Sequence, residues 1–447
     1  MAKNSTSLPR DGFKSTWGFV MAAVGSAVGM ANVWAFPYRT AMYGGAAYLI
    51  PYLICVVILA RTGIVGEIAF GRWGKTGPVG TMSKAMQKAG VKNKALQKIG
   101  VLPVLASFAI ATGYAIIMGW VIRYLVGAIT GAVVQTADVG GYFGAICGNL
   151  GSIGWHALAL VVTLLMMVGG IAKSVEKINK FMIPAFFVLF LGMTVYMFFV
   201  PGSAEGYKYL FIPKWEFLLD PKTWIYALGQ AFFSLSLAGN GTLIYGSYFS
   251  RKEDVVSASR NIALFDTIAA VLAACVVIPA VFAFGMDPAA GPPLMFITLP
   301  AIFQAMGPVG WAFSIIFFAA IFFAAASSIV NLFECPIEMM QAEFKLPRWL
   351  AVTIIMAVSF GVGIFLENGD IIGSWMDIMS IYLCPLGALI AGILFFWVLG
   401  KKGFAKEEIQ AGRNKAVGKG ILIAGKYLYC GIAALVIVLG IVLGGIG

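Results

Sequence analysis

The sequence predicts an all-α polytopic membrane protein of eleven transmembrane helices, a five-plus-five inverted repeat with helices 1 and 6 broken. Three observations carry this expectation. Of 447 residues, 60% are hydrophobic and only 11% charged, with a mean hydropathy of +0.91, more apolar surface than a water-soluble fold of this size buries. Apolar runs of bilayer-spanning length recur along the whole chain. Two of those runs, five spans apart, are interrupted by small and polar residues.

The runs lie near 16–41, 45–71, 99–129, 155–172, 181–200, 223–247, 259–285, 307–340, 349–366, 371–400 and 420–446. They are expected to form a single membrane domain over 1–447, with a first repeat at about 16–200, a second at about 223–400 and an extra span at about 420–446. The run after the short basic N-terminal tail (Lys3, Arg10, Lys14) is too long for a cleavable signal peptide and is expected to be retained. Of the 31 Lys and Arg residues, 25 fall in the tail and in loops 72–98, 173–180, 251–260, 345–348 and 401–426. By the positive-inside rule these are cytoplasmic, which puts the N-terminus inside and the C-terminus outside the cell inner (plasma) membrane. The net charge of +12 is therefore a topology signal, and nucleic acid is not an expected partner.

Between the spans, Met82, Met86 and Ala89 stand at helical spacing among lysines, which fits either an amphipathic surface helix or a solvated basic loop. The 201–222 loop is expected to be compact and aromatic, and the 286–306 connection to form a re-entrant or lid-like hairpin. The six cysteines are scattered singly, and the sequence has one histidine, no GxSxG and no phosphate loop. An enzyme, a disulfide framework and a zinc site are not expected, nor is an organic cofactor.

The first interruption is Gly25-Ser26-Ala27-Val28-Gly29-Met30-Ala31-Asn32. Gly25 and Gly29 suit a tight packing face, but Asn32 needs a polar partner inside hydrocarbon. The second is Ser234 to Gly241. Two breaks at corresponding places in two halves point to unwound segments whose freed backbone groups bind an ion and a substrate. Ser327 and Ser328 add adjacent hydroxyls, suited to bonding the carbonyl one turn back or to a hard cation. Asp266 is a carboxylate within an apolar run, a functional candidate by its insertion cost of ~3 kcal/mol. Glu67, Glu334 and Glu338 are expected to be interfacial pairing groups, and Arg61, inside the second span, has no partner visible in the sequence.

GSAVGMANVWAFPY (Gly25–Tyr38), Tyr48–Trp73, GQAFFSLSL (Gly229–Leu237), YGSYF (Tyr245–Phe249), FFAAASS (Phe322–Ser328) and FFWVLG (Phe395–Gly400) occur in order on separate spans. This pattern resembles the neurotransmitter:sodium symporter family, with its bacterial leucine-transporter-like fold and eleven-span bacterial members. The resemblance implies two Na⁺ sites. One would use Gly25, Val28, Ala324, Ser327 and Ser328; the other Ala27, Asn32, Ser234 and Asp266 with the substrate carboxylate. It implies a substrate pocket of Ala27, Met30, Ala31, Ile110, Tyr114, Phe233, Ser234, Ser236, Gly239, Ser328 and Leu332. Tyr52, Gln230, Ser234 and Asp266 match the region where animal members hold chloride, for which the Asp266 carboxylate would substitute. Gly29, where monoamine-transporting relatives carry Asp, implies a substrate that brings its own carboxylate.

Departures from the family pattern bear on the gates and the pocket. Ala35 replaces the usual outer arginine, leaving Arg39 and Asp377 as the alternative gating pair alongside Phe233. Arg10 matches the inner-gate arginine, but Ala342 stands where its acidic partner is expected, with Glu343 or Glu338 as substitutes. Ala31 places a methyl where the carboxylate should be cradled, and Gly239 and Asn240 reshape the pocket floor. The expectation is a sodium-coupled importer of an amino acid or closely related small carboxylate, acting as a monomer or weak dimer in the lipid bilayer. The alternatives are a proton-coupled amino-acid transporter and a non-translocating membrane ligand sensor.

Overall fold

The computed structural model describes Phe13 and residues 15–237, 241–286 and 294–445, which are helical with short connections and contain no strand. Seven described helices are long and apolar enough to cross a membrane: Ala46–Gly74, Val101–Thr130, Lys173–Met197, Val255–Ala283, Pro308–Phe344, Gly369–Leu399 and Lys419–Leu443. A bent pair, Thr16–Ala27 and Met30–Met42, makes an eighth when counted as one span. Ile153–Met167 and Arg348–Ile364 are shorter apolar helices, and the sixth run holds Pro221–Ser234 and Gly241–Gly246. Each apolar run of the sequence thus meets a helix or a helix pair.

Apolar side chains cover these helices nearly all round, so burial follows position in the bundle rather than a one-sided pattern. Val101–Thr130 and Pro308–Phe344 pack along each other at the centre and are the most enclosed, whereas Lys419–Leu443 lies at the periphery. Thr16–Ala27 sits amid Glu176–Met197, Val255–Ala283 and Pro308–Phe344. Both halves of the sixth span run along Ala46–Gly74. Two glycines make the contact of Gly241–Gly246 possible. A Cβ on Gly71 would stand 1.9 Å from the Leu243 carbonyl oxygen, and one on Gly246 would stand 2.4 Å from that of Ile68. The two backbones therefore touch directly.

Polar pairs close the bundle ends. Glu334 accepts from Arg348 at 2.7 Å and from Tyr248 at 2.9 Å, as an interfacial pairing group should. Thr76 donates to Glu338 at 3.0 Å. Arg72, fully buried, pairs with Glu408 at 2.7 Å and donates to the Glu253 carbonyl at 2.7 Å. At the other end His156 Nδ1 meets Glu367 at 3.0 Å, and Ser152 also donates to Glu367. Glu67 departs from expectation. It is buried, bonded by Thr242 and Tyr429, and has no cation at ion-pair distance among the described residues.

Among the connections, Pro78–Lys88 forms the amphipathic helix, burying Val79, Met82 and Ala85 against the protein; Ala89 lies just past its end and is exposed. The 201–222 loop contains helices Ser203–Phe211 and Trp215–Leu218. The helix Val139–Cys147, unforeseen in the sequence, packs beside Leu294–Thr298.

Replacing Gly246 by Val forces the second and sixth spans apart and should cost about 1–3 kcal/mol. Thermal unfolding of purified protein in detergent should show it as a clear drop in Tm. Gly361→Ala, where a Cβ meets nothing within 4 Å, should leave Tm unchanged or higher.

Candidate ion and substrate site

The first break is two residues of extended backbone. Val28 has φ −73° and ψ 93°, Gly29 has φ −120° and ψ −174°, and the flanking helices diverge by 61°. Such a break frees the carbonyls ahead of it, which must find other partners inside a membrane protein. Ser328 Oγ lies 3.3 Å from both the Gly25 and the Val28 carbonyl oxygens. Ser327 Oγ donates to the Ala324 carbonyl at 2.9 Å. The five expected members of one ion site, Gly25, Val28, Ala324, Ser327 and Ser328, are thus gathered at the break. Asn331, one helical turn beyond Ser327, donates to the Ala22 carbonyl at 3.2 Å and anchors this face of the first helix. Its place at i+4 from a serine pair was the sequence signal for it.

The second break follows Pro221–Ser234. Ser236 adopts a left-handed φ of 56°, a strained conformation for a residue with a side chain. Its hydroxyl donates to the Ser26 carbonyl at 2.6 Å, and Ser26 Oγ donates to Ser236 Oγ at 3.1 Å. The two breaks are stitched to each other. Gly239 and Asn240 lie outside the described residues, as does Arg10.

Beside this stitch lies Asp266, wholly buried in Val255–Ala283. Asn32 Nδ2 donates to Asp266 Oδ1 at 2.8 Å and approaches Ser234 Oγ at 3.3 Å. Ser234 Oγ lies 2.9 and 2.8 Å from the two carboxylate oxygens, and Tyr52 OH lies 3.4 Å from Oδ2. The Asn32 side-chain oxygen is turned the other way, accepting the Gly29 N–H at 3.2 Å. No cationic side chain stands at ion-pair distance from Asp266 among the described residues. Gln230, expected in this group, is buried nearby on the same helix as Ser234. Its oxygen accepts from Arg39 at 3.0 Å, and its Nε2 has no partner among the described residues.

Between the breaks is a cavity of about 50 Å³ whose walls include Ala27, Ala31, Ile110, Tyr114, Phe233, Ser234, Ser236, Ser328 and Leu332. Every described member of the expected pocket except Met30 lines it. Ser26, Gly241 and Cys384 line it as well. A larger vestibule of about 460 Å³ adjoins it, bounded by Met30, Trp34, Trp120, Phe143, Phe296, Asp370 and Asp377 among others. Ala31, Tyr114 and Phe233 belong to both walls and so form the partition. The Ala31 methyl borders the cavity at that partition. Phe296 and Phe143, stacked with centroids 5.1 Å apart, both line the vestibule, so the helical segment Leu294–Thr298 borders it; 287–293 lie outside the described residues. Sequence reasoning missed these aromatic walls, because Trp and Phe in apolar runs look like core. Arg39 donates to Gln230 Oε1 at 3.0 Å and is near enough to act on Asp377 electrostatically. A Cβ on Gly29 would come within 2.9 Å of Ser328 Oγ, so the cavity beside Tyr114 depends on glycine there.

A sequence profile of the sodium:neurotransmitter symporter family matches residues 10–137 and 143–443. The chain belongs to that family. Its members are multi-pass membrane transporters rather than enzymes, and they couple transport to sodium. An uncharacterised sodium-dependent transporter of Bacillus subtilis, YhdH, is 30% identical over 440 residues, covering 94% of this symporter and 95% of the relative. Another uncharacterised sodium-dependent transporter, from Haemophilus influenzae, is 28% identical over 78% of this chain and 79% of its own. Among solved structures, MhsT in complex with L-phenylalanine superposes with a TM-score of 0.85 at 31% identity, covering 96% of this symporter and 100% of that chain.

Ser236→Ala keeps the left-handed backbone and loses the Ser26 link, which should cost about 1–2 kcal/mol. Ser236→Gly loses the same bonds but relieves the backbone, recovering about 1 kcal/mol. Thermal unfolding should rank wild type above S236G and S236G above S236A; S236A at or above S236G would contradict this account of the stitch.

Proposed function

We propose that this symporter uses the Na⁺ gradient to import an amino acid by alternating access, with substrate and ions bound where its two broken helices face each other. The observation that carries the reading is Asp266, a fully buried carboxylate beside both breaks with hydrogen-bond donors but no cationic side chain. A buried charge without a counter-charge is costly, so the site attracts a cation.

Two Na⁺ sites follow. Neutral oxygens at about Na⁺ spacing suit a hard monovalent cation, by the same logic that gives Ca²⁺ and Mg²⁺ oxygen ligands. One site takes the Gly25, Val28 and Ala324 carbonyls with the Ser327 and Ser328 hydroxyls. The other takes Ala27, Asn32, Ser234 and Asp266; a half-turn of the Asn32 amide would present its oxygen to the ion. The substrate carboxylate completes this second site, near Tyr114 OH and the N–H groups that open the helix at Met30. Sodium and substrate then touch, so each strengthens binding of the other. Inward movement of Na⁺ supplies ~2.3 kcal/mol per charge at 100 mV. MhsT, a solved relative, binds L-phenylalanine, which supports an amino acid as cargo; Gly29 supports a substrate that carries its own carboxylate.

The same reading gives eleven spans in one domain, a five-plus-five inverted repeat plus one, with the N-terminus cytoplasmic and the C-terminus outside. Tyr114 and Phe233, on the partition, serve as the outer gate. Asp377, which lines the vestibule, and Arg39, bonded to Gln230 beside it, act as the gating pair, and Arg10 serves on the inner side. No organic cofactor is required, and a monomer or weak dimer suffices.

Counterflow of labelled amino acids in proteoliposomes tests the proposal: exchange should require Na⁺ and fail in K⁺. Thermal-shift screening against amino acids in Na⁺ and K⁺ should reveal one class that stabilises only with Na⁺. Ser328→Ala should raise the Na⁺ concentration for half-maximal transport by about tenfold, the loss of ~1.4 kcal/mol of oxygen ligation. Because Asp266 supplies fixed negative charge, wild-type transport should proceed without chloride, and Asp266→Ser should make it chloride-dependent. Chloride-dependent wild-type uptake would refute the role given to Asp266.

A further inference from the structure

Arg61 makes no hydrogen bond, ion pair or ring contact among the described residues, and its side chain is exposed on the helix Ala46–Gly74. Its depth is fixed by a neighbour. The Ala60 carbonyl accepts from Ser259 Oγ at 2.5 Å, and Ser259 lies five residues beyond Asp254, the cap that starts Val255–Ala283. Arg61 is therefore only about 7–8 Å along the helix from that start. It therefore lies toward the end of the bundle that carries the basic 251–260 and 401–426 loops.

At that level a cleft of about 730 Å³ opens between the two helices and the 412–415 segment. Its cations are Arg61, Arg260, Arg413 and Lys415, against one acidic residue, Asp254. Asp254 is already taken by Arg413, at 3.2 and 2.9 Å. Arg260, like Arg61, is exposed and makes no contact of its own among the described residues. Toward the bilayer centre the lining turns apolar. Leu53, Val57 and Arg61 follow at four-residue spacing down one helix face, with Leu53 44% and Val57 52% exposed. Leu264, 53% exposed, stands one turn beyond Arg260 on the antiparallel neighbour. Both helices thus carry exposed apolar side chains followed, along the same face, by an arginine without a partner among the described residues.

We propose that this cleft binds an anionic glycerophospholipid. Arg61 and Arg260 hold its phosphate with paired N–H donors, Lys415 stands at the rim, and the acyl chains lie along Leu53, Val57 and Leu264. A zwitterionic lipid brings a cationic group into a cleft that already carries excess positive charge, so the site selects for net negative headgroups.

The test is lipid retention by the purified full-length protein, measured by native mass spectrometry after exchange into an equimolar mixture of phosphatidylglycerol and phosphatidylcholine. Wild type should retain phosphatidylglycerol about fivefold over phosphatidylcholine, a difference of about 1 kcal/mol. Arg61→Gln with Arg260→Gln should bring the ratio near one, and Arg61→Lys with Arg260→Lys should restore part of it. Equal retention of both lipids by wild type overturns the proposal, whatever the variants do. So does a wild-type ratio in the glutamine variant, or displacement of phosphatidylglycerol by millimolar inorganic phosphate, which would mark a free-anion site. None of these readouts depends on transport.

Discussion

The structure depends on how a single carboxylate is kept inside it. Asp266 is fully enclosed, and the groups that bond it come from three other places in the chain: Asn32 after the first break, Tyr52 on the second span and Ser234 just before the second break. Each donor satisfies part of a charge that could not otherwise be buried. The cost of leaving any of them unpaired holds the four elements in register. Polar satisfaction, rather than apolar packing, sets the relative position of the broken helices, because lipid and protein interior offer apolar side chains nearly equal surroundings.

The breaks themselves are stabilised from both sides. Val28 and Gly29 leave the helix without strain, since extended backbone is open to any residue, while Ser236 accepts a left-handed conformation that costs energy. The two bonds between Ser26 and Ser236 offset that cost and join the unwound segments. Freed carbonyls at the first break then meet the hydroxyls of Pro308–Phe344, the most central helix together with Val101–Thr130. A cluster of oxygens surrounded by apolar helices is a place where a small cation replaces water at little structural cost.

Much of this arrangement is legible in the sequence, because the breaks contradict their surroundings. Glycine, serine and asparagine clustered in the middle of an apolar run suit packing seams as well as breaks, but two such clusters in corresponding spans mark the breaks, and Gly25–Asn32, Ser234–Ser236 and Ser327–Ser328 do converge. Residues whose character agrees with their surroundings were hidden. Trp120, Phe143 and Phe296 wall the vestibule, yet aromatic side chains in apolar segments carry no mark of exposure to a cavity. Pairings between distant charges were hidden too. Glu334 with Arg348, Arg72 with Glu408 and His156 with Glu367 bring together residues whose proximity is a matter of bundle geometry, and Glu67 finds hydroxyls instead of a cation. Arg61 is anomalous only while its helix is taken to begin and end at the membrane faces. The helix Ala46–Gly74 spans 29 residues, longer than a bilayer core needs, so an arginine within it is not forced into the hydrocarbon.

The close approach of Gly71 to Leu243 and of Gly246 to Ile68 has a mechanical consequence. Backbone against backbone, without intervening side chains, leaves no room for one helix to slide or tilt over the other, so Gly241–Gly246 and the second span form one rigid piece. Thr16–Ala27 has no such weld: its neighbours meet it through side chains, which can repack. The two half-helices are therefore held unequally, one welded backbone to backbone and the other seated on side chains.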